Sequence, residues 1–238
     1  MEKGKLKPAI LKFSVPDVQV LMRAYFSSYH LWAARHFAQL SHDIEDQHSG
    51  DPKFDIRHRS YVTNSILSSV AFLEAAINEL FQDAFDNHLG YLESLDKKVV
   101  ASFANFWRFS GEQDKQSPYS FLEKYQLALT IAHLEPFDKS LTPYQNVDLI
   151  RKLRNALIHY KPKTTGIDEE HPITDKLRNK FAPNKLMEQS GNPFFPDKCL
   201  GYGCAKWAVD SALQFTNEFF NRLNMKPKLS ESGFRSQD

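Results

Sequence analysis

Apolar positions recur at intervals of three and four along most of the chain, and no two-residue alternation competes with them. From Pro16 and Asp17 onward, Val20, Leu21, Ala24, Tyr25, Tyr29, Leu31, Trp32, Ala34, Phe37, Ala38 and Leu40 form one stripe. They predict a helix over 17–46 that is stopped by Gly50 and Pro52. A second helix is expected over 58–88, with Leu67, Val70, Leu73, Ile77, Leu80, Phe81 and Phe85 as its apolar stripe and Gly90 as its C-terminal cap. A third is expected over 92–109, closed by Ser110 and Gly111, and a fourth over 119–134, ended by Pro136. A fifth begins near Pro143 and ends by Pro162. Residues 163–200 are rich in Pro, Asn, Lys and Gly and predict a long irregular connection, functional or mobile, with a short helix near 175–181. The last helix covers 204–224, with Ala205, Ala208, Val209, Ala212, Phe215, Phe219 and Leu223 on one side.

These elements predict an all-α fold, an antiparallel bundle of five to six helices. We expect one domain over 17–224 that includes the loop at 163–200, preceded by a basic lead-in at 1–16 and followed by a loose tail at 225–238.

Composition narrows the function classes. In 238 residues, 42% are hydrophobic and 13% aromatic, enough for a packed core, and the net charge is only +1. No global field draws the protein to nucleic acid or a membrane, so an anionic partner must be held by a local cluster. Cys199 and Cys204 make neither a disulfide framework nor a complete zinc set. The N-terminus is charged and no long apolar run follows it, so no membrane span and a cytoplasmic location are expected.

One run has sharp chemical character: Arg151-Lys152-Leu153-Arg154-Asn155-Ala156-Leu157-Ile158-His159-Tyr160-Lys161-Pro162. On a helical wheel Ile150, Leu153, Ala156, Leu157 and Tyr160 gather on a core side. Arg151, Asn155 and His159 lie opposite, with Arg154 at the border. Ile158 is apolar yet falls on the polar side, which suggests a second buried surface such as a subunit interface. No acid occurs between Asp148 and Asp168, so Arg151, Lys152, Arg154 and Lys161 make a basic patch suited to phosphate. Histidine titrates near neutrality and moves protons. Together these groups suit cleavage of a phosphodiester without metal: a base activates a ribose 2′-hydroxyl and a cation stabilises the phosphorane. The alternative is that Lys, Arg and His collect at helix C-termini to answer the dipole.

A second helix offers support. Glu74 and Asn78 are four apart and share a face, and Glu74 falls among Val70, Leu73 and Ile77. Either it is buried and paired with Arg151 or Arg154, or it edges the core and reaches water. Phe103, Phe106, Trp107 and Phe109 carry the chemistry to stack bases, but at helical spacing aromatics are generally core. His30, His36, His42 and His48 scatter round a helix and form no metal pair.

With these residues in place the sequence resembles HEPN-domain proteins, among them many uncharacterised bacterial members. The resemblance rests on the all-helical layout, on Arg154-Asn155-Ala156-Leu157-Ile158-His159 late in a helix before Tyr160-Lys161-Pro162, and on the Glu74 and Asn78 helix. It implies a metal-independent endoribonuclease with no cofactor, working as a homodimer in which both Arg-x4-His motifs line one cleft. Arg154 and His159, with Asn155, would be the catalytic set. Arg151, Lys152 and Lys161 would bind RNA, and Glu74 and Asn78 would support them. Many members are toxins or defence effectors restrained by an antitoxin protein; others are inactive modules that bind nucleotide or act as scaffolds.

Overall fold

The computed structural model describes residues 23–88, 90, 92–110, 118–161 and 171–225. Among these, all regular structure is helical and no strand occurs. The elements are α1 (Phe26–Asp46), α2 (Ile56–Phe85), α3 (Lys97–Phe109), α4 (Phe121–Ile131), α5 (Tyr144–Ile158), the single-turn α6 (Thr174–Leu177), a wide turn at Phe194–Lys198, and α7 (Tyr202–Arg222). They form a helical bundle. No helix among the described residues is long and apolar enough to cross a membrane.

The central element is α2, which packs against α1, α3, α4, α5 and α7. Its 30 residues span about 45 Å at the α-helical rise. Asp55 caps its start, accepting hydrogen bonds from the Arg57 and His58 backbone at 2.8 and 3.1 Å. At its end Asn87, not Gly90, takes the left-handed conformation (φ 53°), so the expected glycine cap is corrected by three residues. Asparagine tolerates that region because its short polar side chain bonds locally.

The first helix starts later than its apolar pattern predicts. Residues 17–22 lie outside the described ones, and 23–25 are not helical. Tyr25 at the N-cap position is extended and makes no cap bond with its side chain. The capping acceptor comes instead from α2: Glu79 accepts from the Ser27 backbone N–H at 2.8 Å and from its hydroxyl at 2.6 Å. At the other end of α1, Glu45 meets His58 in the first turn of α2. The two contacts establish that α1 and α2 run antiparallel. Leu31, Ala34 and Ala38 are buried with Ser27, Ser41 and Glu45, and the small side chains let the helices approach closely, with the Ser65 hydroxyl donating to the Ala34 carbonyl at 2.8 Å. Tyr29 and Trp32, expected in the stripe, are exposed, because they lie on the side of the wheel opposite this narrow seam.

The third and fourth helices are shorter than expected: Asp96 caps α3, and a Ser120–Glu123 capping box starts α4. Phe81, Phe103, Phe106 and Trp107 cluster between α2 and α3, with centroid distances of 4.8 to 5.7 Å from Phe81. That assigns the aromatic run of α3 to packing, except Phe109, which is exposed. The Tyr125 hydroxyl donates to the Leu73 carbonyl at 2.9 Å and ties α4 to α2.

The connection at 163–200 departs most from expectation. Residues 163–170 lie outside the described ones, but from 171 the segment is part of the core. Ile173, Leu177, Leu186, Met187, Phe194, Phe195, Cys199 and Leu200 are all buried, so hydrophobic burial fixes a stretch that contains little regular helix. Met225, assigned to the loose tail, is also buried; residues 1–16 and 226–238 lie outside the described ones.

Candidate functional site

Val147, Ile150 and Leu153 seat α5 in the core, and this leaves the polar side of the helix facing outward. Its geometry sorts the sequence-selected residues into two groups.

Arg154 is the cation held between helices. Its guanidinium lies 3.6 Å from Glu74 Oε2 on α2 and donates from Nη1 to Asn155 Oδ1 at 3.1 Å. The arginine side chain is 28% exposed and the glutamate 48%. Glu74 therefore edges the core and reaches water, and of the two arginines considered for it Arg154 is the one alongside. Asn78 shares the Glu74 face but turns to α4, where its Oδ1 accepts from Lys124 Nζ at 2.9 Å. Lys124 is only 4% exposed and its ammonium lies 5.2 Å from the centre of the Trp107 ring. Sequence reasoning missed Lys124. The signal was its spacing: it sits three residues after Phe121 and four before Ala128, both buried.

Arg151 and Lys152 both turn to Asp148. Arg151 donates to Oδ1 from Nε and Nη2 at 3.1 and 2.7 Å, and Lys152 Nζ lies 2.5 Å from Oδ2. Partial burial works against the Asp148 charge, but the hydrogen bonds from Lys152 and Arg151 hold its carboxyl below the usual range. The basic patch is thus partly neutralised by an acid one turn earlier, which a scan starting after Asp148 overlooks.

His159 does not lie within the helix. It is the C-cap residue of α5 (φ −99°, ψ 26°), its backbone N–H donating to the Asn155 carbonyl at 2.9 Å. The ring is exposed and makes no hydrogen bond among the described residues. Its neighbours Ile158 and Tyr160 are each 53% exposed, and Lys161 is exposed. Tyr160 was assigned to the core side; because the helix stops at Ile158, the wheel no longer applies to it. The chain thus presents a held arginine, an open imidazole and two exposed apolar side chains around one helix end.

Among the described residues no group of three His, Cys, Asp or Glu side chains gathers to hold a metal ion. Cys199 and Cys204 are free and buried. Burial, with Cys199 alongside, pushes the Cys204 thiol well above its ordinary range.

No protein-family model, curated protein or solved structure matches the chain.

Proposed function

We propose that the chain is a metal-independent endoribonuclease of HEPN type that acts as a homodimer, with a toxin or defence effector held by an antitoxin protein as the biological setting the resemblance implies. The observation that carries this reading is the end of α5: Arg154 oriented by Glu74 and Asn155, and His159 open at the adjoining cap. In this chemistry His159 removes the proton from a ribose 2′-hydroxyl. The 2′-oxygen attacks phosphorus, the bond to the 5′-oxygen breaks, and that oxygen leaves with a proton supplied by the second copy's His159. Arg154 balances the charge on the phosphorane, and Arg151, Lys152 and Lys161 draw in the backbone. Ile158 and Tyr160 supply apolar surface for the dimer contact.

The test is digestion of RNA by purified protein in EDTA, beside His159→Ala. The variant is expected to lose about 10²–10⁴-fold in rate while keeping its fold and oligomeric state, since the ring has no partner to lose among the described residues. Equal activity of the variant would reject the role of His159.

A second reading is a non-catalytic HEPN-like module that binds RNA, nucleotide or a protein partner. The pairing of Arg154 with Glu74 and the place of His159 at the helix cap, both of which serve a structural role equally well, favour it. RNA binding without cleavage, unaffected by His159→Ala, would support this reading over the first.

A further inference from the structure

Besides the narrow seam that α1 buries, the helix carries a second apolar line. Phe26, Tyr29, Ala33, Phe37, Leu40 and Ile44 follow one another at steps of three and four. On the wheel they fill an arc of about 80° centred about 120° from the buried Ala34 and Ala38. Phe26 and Tyr29 are 60% and 55% exposed, and the other four are half-buried. The line lies on the flank turned away from α7. On the opposite flank the His42 ring meets Tyr202 at 4.4 Å, whereas Phe37 stacks on Tyr61 of α2 at 6.1 Å. An apolar line of this length left open to water marks an interaction surface.

The far end of the line is acidic. Asp43, Asp46 and Asp51 are exposed there, and α1 has no basic residue in its last turn to answer the negative end of the helix dipole. Its near end begins at Phe26, three residues after the described chain starts at Arg23. The chain before Arg23 carries the complementary chemistry in the complementary order: Ala9, Ile10, Leu11, Phe13 and Val15, preceded by Lys3, Lys5 and Lys7 with Glu2 as the one acid among them.

We propose that residues 9–15 of this same chain lie along the second apolar line of α1, antiparallel to it, with Lys5 and Lys7 at Asp43 and Asp46. Pro8 and Pro16 bracket the stretch, and proline holds the residue before it extended. Seven extended residues cover about 20 Å, and the rise from Phe26 to Leu40 is about 21 Å. Residues 16–25 make the reversal, of which 23–25 are not helical. Val15 then falls by Phe26, Leu11 by Ala33 and Ala9 by Leu40. A second copy fits this surface less well. Two-fold pairing of the helices sets the acidic end against the Phe26 end, where Arg23 is already paired with Asp83 and Asp86. A tethered segment also meets the surface at a far higher effective concentration than a separate chain. No residue from the end of α5 takes part, so the inference does not rest on the ribonuclease reading.

The experiment is zero-length carbodiimide coupling of lysine to carboxylate in the full chain, an equal mixture of isotope-labelled and unlabelled protein, read by peptide mass spectrometry. Amide hydrogen exchange on the same protein is the second readout. Links from Lys5 or Lys7 to Asp43 or Asp46 within one chain are expected. The amides of residues 9–15 should exchange at least about tenfold more slowly than in a free chain. Phe13→Asp, which alters none of the described residues, and Tyr29→Asp, an exposed change, should each return that exchange to the free-chain rate and remove the links. Free-chain exchange of 9–15 in the wild type, or protection unchanged in Phe13→Asp, would overturn the proposal. Links found solely between labelled and unlabelled chains would overturn it too, and would give the surface to a second copy.

Discussion

The Arg154 guanidinium on α5 and the Glu74 carboxylate on α2 lie 3.6 Å apart, close enough to pair and too far for a short hydrogen bond. The pair orients the arginine without consuming its donors, so a phosphate can still take them. Glu74→Gln is therefore expected to shift the urea unfolding free energy by less than about 1 kcal/mol, as for other solvent-screened pairs. RNA cleavage should fall about tenfold as the arginine loses its orientation. A wild-type cleavage rate in a folded Glu74→Gln protein would remove Glu74 from the site.

Asp148 holds two of the cations expected to meet RNA. Asp148→Asn frees Arg151 and Lys152, so RNA affinity should rise severalfold and the salt dependence steepen by about one to two released counterions. Fluorescence anisotropy across a salt series reads both effects. An unchanged slope would place these side chains off the RNA path.

Ile158 is 53% exposed next to His159. If the proposed dimer forms through this face, Ile158→Asp should shift it to monomer in sedimentation velocity and abolish cleavage with Arg154 and His159 intact, because a charge placed at an apolar contact opposes association. A fully active variant of unchanged mass would contradict the dimer at this face.

The anchorage of α1 on α2 predicts a pH signature. Burial raises the Asp83 carboxyl above its ordinary range, opposed by Arg23, the Tyr25 hydroxyl and His88; burial also raises Glu79, opposed by Ser27 and reinforced by Asp83. Asp86 is the remaining carboxylate in the cluster, paired with Arg23 at 2.8 Å. A raised carboxyl binds its proton more readily folded than unfolded, so its contribution grows as pH falls through the raised value and is complete below the ordinary one. Compared with Asp83→Asn, the wild type should gain stability from neutral pH toward about pH 4. On the alkaline side, burial and Asp83 push Tyr25 up to about 12. Stability should fall as pH rises from the ordinary tyrosine value near 10 toward that figure, and Tyr25→Phe should remove the fall. Urea unfolding across pH measures both; parallel profiles for variant and wild type would refute the assignment.

Gly203 faces the Ala182 carbonyl so closely that an added Cβ would lie 2.4 Å from it. Gly203→Ala should cost about 1–3 kcal/mol in thermal or urea unfolding, the usual price of forcing packed backbone apart. A neutral substitution would mean that the 180–185 segment yields freely.

Helix identity was legible because each long helix buries one periodic face, as Leu73, Ile77 and Leu80 do in α2. Helix ends were less so. The start of α1 depends on Glu79, fifty-two residues downstream of Ser27, and no local pattern announces a cap supplied from another helix. The buried stretch after residue 171 was also hidden, since its apolar residues follow turns and a pinned asparagine rather than a period. At the candidate site the sequence left Glu74 either buried against Arg151 or Arg154 or open to water; the structure has it exposed and beside Arg154. The attachment of Asn78 to Lys124 was not legible, because it depends on how α4 lies across α2.

In-line attack by a 2′-oxygen, assisted by His159 and Arg154, is the step proposed for this protein, and one measurement addresses it directly. A single RNA oligonucleotide and its all-deoxy counterpart are incubated with the 238-residue protein in EDTA, and the products are resolved by mass. The expected products are RNA fragments ending in 2′,3′-cyclic phosphate, with the deoxy strand untouched. Cleavage of the deoxy strand, or RNA left whole until metal is restored, would contradict this step.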